Sequence, residues 1–288
     1  MPKILSNDQQ GQLERDGHTD AVDILTGEEV GRYRASLERF ERNHPEHVAK
    51  LESKSEILAP WIVEIAETPR LLDLFEDLFG PNLMIRNMAW RMKKPDGRTF
   101  AGWHQDTAAY GANEMTPKYY LGALALSDCG PDDGCIQVIP GSHKGPTLPH
   151  QDRDDTASIL ARGQEITVSF DKSRIAPLAL KPGQFALFDP AIIHSSGVNS
   201  GQDRRIILLI SMIPTFARSI TAKPSAMLVR GIDEFHNFAQ EPRPEAECSP
   251  EAIAAWERLI RSKAKAVYAK SSVAPKAGYG GARSLLVD

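Results

Sequence analysis

Gly130-Pro131-Asp132-Asp133-Gly134-Cys135-Ile136-Gln137-Val138-Ile139-Pro140-Gly141-Ser142-His143-Lys144-Gly145 sets one short apolar run, Ile136 to Ile139, between two clusters of turn residues. Four apolar or alternating residues closed on both sides by Gly, Pro and Asp read as a strand that enters and leaves a sheet within a few residues. Similar runs surround it: Met84 to Met92, Tyr119 to Leu126, Glu165 to Phe170, Gln184 to Phe188 and Arg205 to Ile213. Pro95-Asp96-Gly97 and Lys181-Pro182-Gly183 punctuate them. Many short strands at this spacing predict an antiparallel sandwich or barrel rather than βαβ units.

The residues before Leu83 carry a helical period. Ser6 with Gln9 and Thr26 with Glu29 each fit a capping box, in which hydroxyl and carboxylate or amide trade bonds with orphan backbone amides. Thr68, then Pro69 at the first helical position, then Leu71, Leu72, Leu74 and Phe75, then Gly80, describe a third helix with an apolar stripe and a stop. At the far end Ser249 caps an Ala-rich helix from about Pro250 to Lys270, and residues 271–288 are expected to fray. The chain is thus read as one domain over 1–288. It has a helical part to about 82, a β core over about 83–215, a helical extension over about 216–270 and a mobile tail. The polar stretch 145–163 has no clean period and reads either as a lid or as a solvated surface loop.

Composition narrows the function classes. With 288 residues, 41% of them apolar and 25% charged, the chain is long enough for a sizeable core and is not of disordered type. A net charge of −4 argues against nucleic-acid binding. No run is long and apolar enough to cross a membrane, and Met1 to Leu5 lacks the features of a secretory signal. Three cysteines without a CxxC fit a reducing compartment, so a cytoplasmic protein is expected. Oligomeric state is left open.

The residues that carry chemistry begin with Trp103-His104-Gln105-Asp106. On a strand, residues two apart share a face, so His104 and Asp106 present imidazole and carboxylate together. His194 closes the run from Phe188 and precedes Ser195-Ser196-Gly197-Val198-Asn199. Two histidines and one carboxylate form a facial triad suited to non-haem Fe(II), although zinc also uses such a set. Eleven residues past His194, Arg205 opens an apolar strand. A guanidinium there requires an anion, either a bound dicarboxylate or an internal acid such as Asp203.

The ordered set resembles the phytanoyl-CoA dioxygenase family of Fe(II)- and 2-oxoglutarate-dependent oxygenases. It comprises His104-Gln105-Asp106, Asp132 to Gly145, Lys181-Pro182-Gly183-Gln184, and His194 to Asn199 with Arg205. The resemblance extends more weakly through Asp77 to Asn82 and covers about residues 10 to 245. It implies a mainly β fold with flanking helices, a double-stranded β-helix or jelly roll of cupin-like type. It further implies iron on His104, Asp106 and His194, with 2-oxoglutarate anchored by Arg205 and assisted by Ser196. Gln105, between two ligands, becomes a further candidate cofactor contact, and His143 a structural residue of its turn. The implied reaction uses O₂, releases succinate and CO₂, and hydroxylates a C–H bond of a small molecule, a metabolite or natural-product intermediate in preference to an acyl-CoA.

Two departures bear on that reading. Relatives often carry a tryptophan on the strand before the Asp-Gly-Cys turn, where this chain has Leu121 to Leu126 with Ala123; the loss is expected to enlarge the cavity. The halogenating branch has a small residue at the position of Asp106, so an intact carboxylate here disfavours halogenation. Alternation along Met84 to Met92 predicts Met84, Arg86, Met88, Trp90 and Met92 on one face, either lining a substrate pocket or packing the core. A non-redox metal barrel (isomerase, hydrolase or sensor) and a catalytically silent binding protein are the competing functions.

Overall fold

The computed structural model describes residues 2–110, 115–220, 224–269, 271 and 273–279. Both capping boxes form as expected. The Gln9 and Glu29 amides donate to the Ser6 and Thr26 hydroxyls, each at 3.2 Å, and the side chains of Gln9 and Glu29 return the bond. They start the helices Asn7–Asp16 and Gly27–Asn43. The helix Pro69–Phe79 buries Leu71, Leu72, Leu74 and Phe75 and stops at Gly80, whose φ of 82° favours glycine. Thr68 sits at its N-cap position, but its hydroxyl turns back to the Glu64 carbonyl and caps nothing.

Two antiparallel sheets face each other behind these helices. The larger runs in the order Val22–Asp23, Gln184–Phe188, Leu121–Ala125, Arg205–Pro214, Leu83–Lys93, Ser225–Arg230, Ala239–Gln240, with only the last pair parallel. The smaller runs Ala101–His104, His194–Ser196, Ile136–Val138, Ala176–Leu178. Between Leu83–Lys93 and Arg205–Pro214 the chain crosses repeatedly from one sheet to the other, as in the jelly roll expected from the short, turn-bounded runs.

Alternation sorts each strand of the larger sheet into two cores. On Arg205–Pro214, Ile206, Leu208, Ile210 and Met212 pack outward against the helices, while Ile207 and Leu209 pack inward between the sheets. On Leu121–Ala125, Ala123 and Ala125 point inward, and Gly122 faces outward where Phe185 fills its place. A Cβ on Gly122 would lie 1.8 Å from the Phe185 ring.

Three expectations are revised. First, the strand Leu83–Lys93 does not alternate throughout. Asn87 pairs with Ser211 and Ile85 with Met212, so Arg86 is an unpaired extra residue, a β-bulge. Past the bulge Met88, Trp90 and Met92 pack against the helices, and Asn87, Ala89 and Arg91 face the interior. Second, the extension 216–270 is not wholly helical, because Ser225–Arg230 pairs with Leu83–Lys93 before the helix Pro250–Tyr268 begins. Ser249 caps that helix as expected, accepting from the Ala252 amide at 3.2 Å. Third, within the segment expected to fray, Ala277–Tyr279 forms a helical turn that buries Tyr279 against Tyr268; residues 280–288 lie outside the described residues. The expected strand Glu165–Phe170 shortens to Glu165–Ile166, paired with His150–Gln151 inside the 145–163 region. Among the described residues no helix is long and apolar enough to cross a membrane.

Candidate active site

His104 ends one strand of the smaller sheet and pairs directly with His194 at the start of its neighbour. Their rings stand 4.0 Å apart, centroid to centroid. Asp106 follows His104 by two residues, and its backbone amide is pinned to the Pro190 carbonyl at 2.9 Å. Each histidine uses Nδ1 on a backbone carbonyl, His104 on Gly102 at 2.8 Å and His194 on Ile192 at 2.9 Å. A carbonyl only accepts, so Nδ1 carries the proton and Nε2 is left as a bare donor pair, the tautomer metal binding needs. The two Nε2 atoms stand 3.4 and 4.0 Å from the Asp106 oxygens. Ligands cis to one another at ~2.1 Å from one ion stand about 3 Å apart. The three side chains are the group among the described residues that can hold a metal ion, and they fit one.

The electrostatics favour a cation. Burial alone would raise the Asp106 carboxyl, but the adjoining His104 and His194 imidazoles, whose charged forms the carboxylate would pair with, and the Arg91 charge outweigh it and hold the group down to about 2. Burial, helped by His104, pushes His194 down to about 4, so its imidazole is neutral near pH 7.

Arg205 lies on the same inward face, fully buried. Asp203 is not its partner: that carboxylate turns outward to Arg34 at 2.7 Å. Arg205 instead donates through Nη1 to the Gly134 carbonyl and the Ser196 hydroxyl, and its Nε has no partner. Burial lowers its pKa to about 10, leaving it charged at neutral pH. Opposite it in register stands Lys93, which the sequence reading did not single out. The Lys93 ammonium donates to the Ser196 carbonyl at 3.0 Å, the Ser196 hydroxyl at 2.5 Å and the Gly197 carbonyl. Burial and then Arg205 push it down to about 6. Ser196 Oγ therefore accepts from two basic side chains, and its own proton stays free to be donated to an anion.

A cavity of about 130 Å³ joins the two groups, lined by the triad, Ser196 and Arg205 together with the apolar Leu121, Phe188, Ile207 and Leu209. Ile159, Leu160 and Ala161 from the 145–163 region close part of it, the role a lid segment plays. Gln105 does not reach the cavity, which corrects the expectation of a cofactor contact. Its side chain donates to the Ala191 carbonyl at 2.8 Å and accepts from the Leu148 amide at 2.8 Å, because strand parity turns it away from its neighbours. It fixes the start of the 145–163 segment instead. His143 is structural as expected, holding the Glu14 carbonyl at 3.2 Å and filling the space over Gly17. Lys263, Val267 and Tyr279, from the C-terminal segments, complete the wall; no local signal in the sequence points to them.

Comparison with known proteins places these features in a family. The model of the phytanoyl-CoA dioxygenase (PhyH) family matches residues 13–207. The peroxisomal phytanoyl-CoA dioxygenase of Bos taurus is 29% identical over 143 residues, 48% of this chain but only 41% of that protein. The L-proline trans-4-hydroxylase of Streptomyces griseoviridis is 26% identical over 220 residues, 68% of this chain and 82% of that protein. Among solved structures, a non-haem monooxygenase, ThoJ, in its apo form superimposes with a TM-score of 0.78 at 25% identity, covering 90% of this chain and 97% of its own. The matched stretch contains His104, Asp106, His194 and Arg205 and stops short of the C-terminal wall, and by that match the chain belongs to the phytanoyl-CoA dioxygenase family.

Proposed function

We propose that this protein is an Fe(II)- and 2-oxoglutarate-dependent dioxygenase that hydroxylates a C–H bond of a small molecule, consuming O₂ and releasing succinate and CO₂. In this reading His104, Asp106 and His194 hold the iron, and Arg205 and Ser196 hold the distal carboxylate of the co-substrate. The observation that carries it is the buried pair Arg205 and Lys93, two basic side chains in register with no carboxylate partner among the described residues, on the sheet that faces the metal triad. A zinc hydrolase or isomerase needs the triad but not a buried pair of basic side chains beside it.

Iron and the keto acid bound there would supply the oxidising chemistry, and the protein's share is placement. Three ligands on one face leave adjacent positions for a chelating keto acid and for O₂. Arg205 fixes the far carboxylate by its fork, Ser196 donates its free proton to the same group, and Lys93 polarises Ser196 from behind. Leu121, Ile207 and Leu209 keep water from the reacting centre. Asp106 would fill the position a halide takes in the halogenating branch, which disfavours halogenation. A cytoplasmic location is part of the proposal, supported by three free cysteines.

The test is anaerobic addition of Fe(II) and then 2-oxoglutarate, which should give the visible charge-transfer band of a chelated keto acid. Oxygen should then yield succinate. If no band forms and Arg205→Ala binds 2-oxoglutarate as the wild type does, the non-redox metal barrel becomes the better reading.

A further inference from the structure

The charges that line the cavity do not balance once the site is loaded, and this inference rests on the iron and 2-oxoglutarate reading above. Fe(II) with Asp106 and a doubly charged co-substrate with Arg205 together carry no net charge. Arg86, Arg91 and Lys263 also line the cavity, and Asp106 is the one carboxylate among the described lining residues; the Arg86 guanidinium lies over the Tyr119 ring, 4.1 Å from its centroid. Arg91 spends Nη1 on the carbonyls of Glu52 and Trp90, at 2.9 and 3.0 Å, and makes no ion pair among the described residues. Lys263 donates to Ser53 Oγ at 2.7 Å and Asn87 Oδ1 at 2.6 Å, both neutral. An ammonium has three protons to donate, so one remains for the cavity.

The charged groups behind this wall do not supply the missing anion. Lys54 is paired with Glu241 and also stands 3.6 Å from Glu56, so one lysine engages both acids. Glu56 is the other acid there. Burial pushes its carboxyl up to about 7, and one of its oxygens is spent on the Met88 amide. The proton affinity of Lys263 is itself reduced, by burial first and then by Arg86, Lys54 and Arg91 against a smaller opposing pull from Glu56, so an anion bound beside it would favour the charged ammonium. Sequestering cations in a cavity is costly unless an anion meets them.

We propose that the substrate carries a small anionic group, a carboxylate or a phosphate, and that Lys263 and Arg91 bind it on the wall between the strand Leu83–Lys93 and the C-terminal helix. Lys263 comes from outside the stretch the family model matches, residues 13–207. The anion site thus joins Arg91, inside that stretch, to Lys263, beyond it. It orients the molecule, leaving the opposite end toward the iron.

The experiment uses the full-length protein loaded with Fe(II) and saturating 2-oxoglutarate under nitrogen. Butanoate, benzoate and butyl phosphate are titrated against methyl butanoate and methyl benzoate, with binding read by calorimetry and by the shift of the charge-transfer band. At least one anion should bind tenfold or more tightly than the neutral esters. Lys263→Met should weaken that anion tenfold or more, and Lys263→Arg should retain most of it. Arg91→Met gives a second readout if Lys263→Met fails to fold. Preference for the acids or for butyl phosphate decides the headgroup. Equal binding of anions and esters, or anion binding unchanged in Lys263→Met and Arg91→Met, overturns the proposal. The band formed before any titration reports separately on the iron and co-substrate reading, so the two failures are distinguishable.

Discussion

Arg205 and Lys93 stand directly opposite each other in the antiparallel pairing of Arg205–Pro214 with Leu83–Lys93, both turned inward and both buried. Like charges at opposed positions of a sheet repel, and here the Ser196 hydroxyl bridges them. A dianion bound at the proposed anchor would relieve that repulsion.

Removal of one member should therefore cost binding rather than folding. Arg205→Ala is expected to weaken 2-oxoglutarate by two to three orders of magnitude, consistent with about 2–5 kcal/mol for a buried charge partner. Lys93→Met, acting through Ser196, should cost about tenfold. Calorimetric titration with Fe(II) present measures both.

The same pair predicts a pH dependence. In the free site Lys93 is pushed down to about 6, and a bound carboxylate draws its pKa back up. Above pH 6 binding must then take up a proton, so 2-oxoglutarate affinity falls as pH rises, by up to about tenfold per pH unit. For folding of the free protein the sign is opposite. A lysine with lowered pKa leaves the unfolded chain holding more protons between about 6 and 10.5, so its contribution to stability grows as pH rises through that window. Lys93→Met should flatten both profiles.

Asp106→Ala should lower iron affinity by at least ~100-fold, since the loss of a ligand exceeds the 10–100-fold seen for partners one shell out. Metal content after desalting, set against wild type, measures it. Wild-type turnover in chloride should yield no chlorinated product.

Gly122→Ala should destabilise the fold by about 1–3 kcal/mol or more, because its Cβ would meet the Phe185 ring at 1.8 Å in a core with no slack. A lower urea midpoint with the charge-transfer band retained is the expected result.

Much of this was legible before any coordinates, for physical reasons that differ by residue. His104, Asp106, His194 and Arg205 carry chemistry that their local sequence exposes: paired ligands at strand spacing and a cation entering an apolar run. Lys93 stayed hidden because strict alternation from Met84 puts it on the wrong face, and the bulge at Arg86 reverses that parity. Gln105 obeyed the alternation that excludes it from the cavity. Lys263 and Tyr279 reach the site only through the docking of the C-terminal helix, which Trp256 secures with a 2.8 Å bond to the Ser53 carbonyl. Such long-range contacts leave no periodicity to read.

The extra residue at Arg86 also divides the labour of the strand that carries it. Positions 88, 90 and 92 grip the helices, whereas 87, 89, 91 and 93 face the chemistry. The second set is not free of structural duty, since Asn87 and Arg91 also tie the strand to Ser53 and Glu52. A single misaligned residue thereby makes one strand both scaffold and palette, with one row of positions gripping the helices and the other turned to what the site recognises.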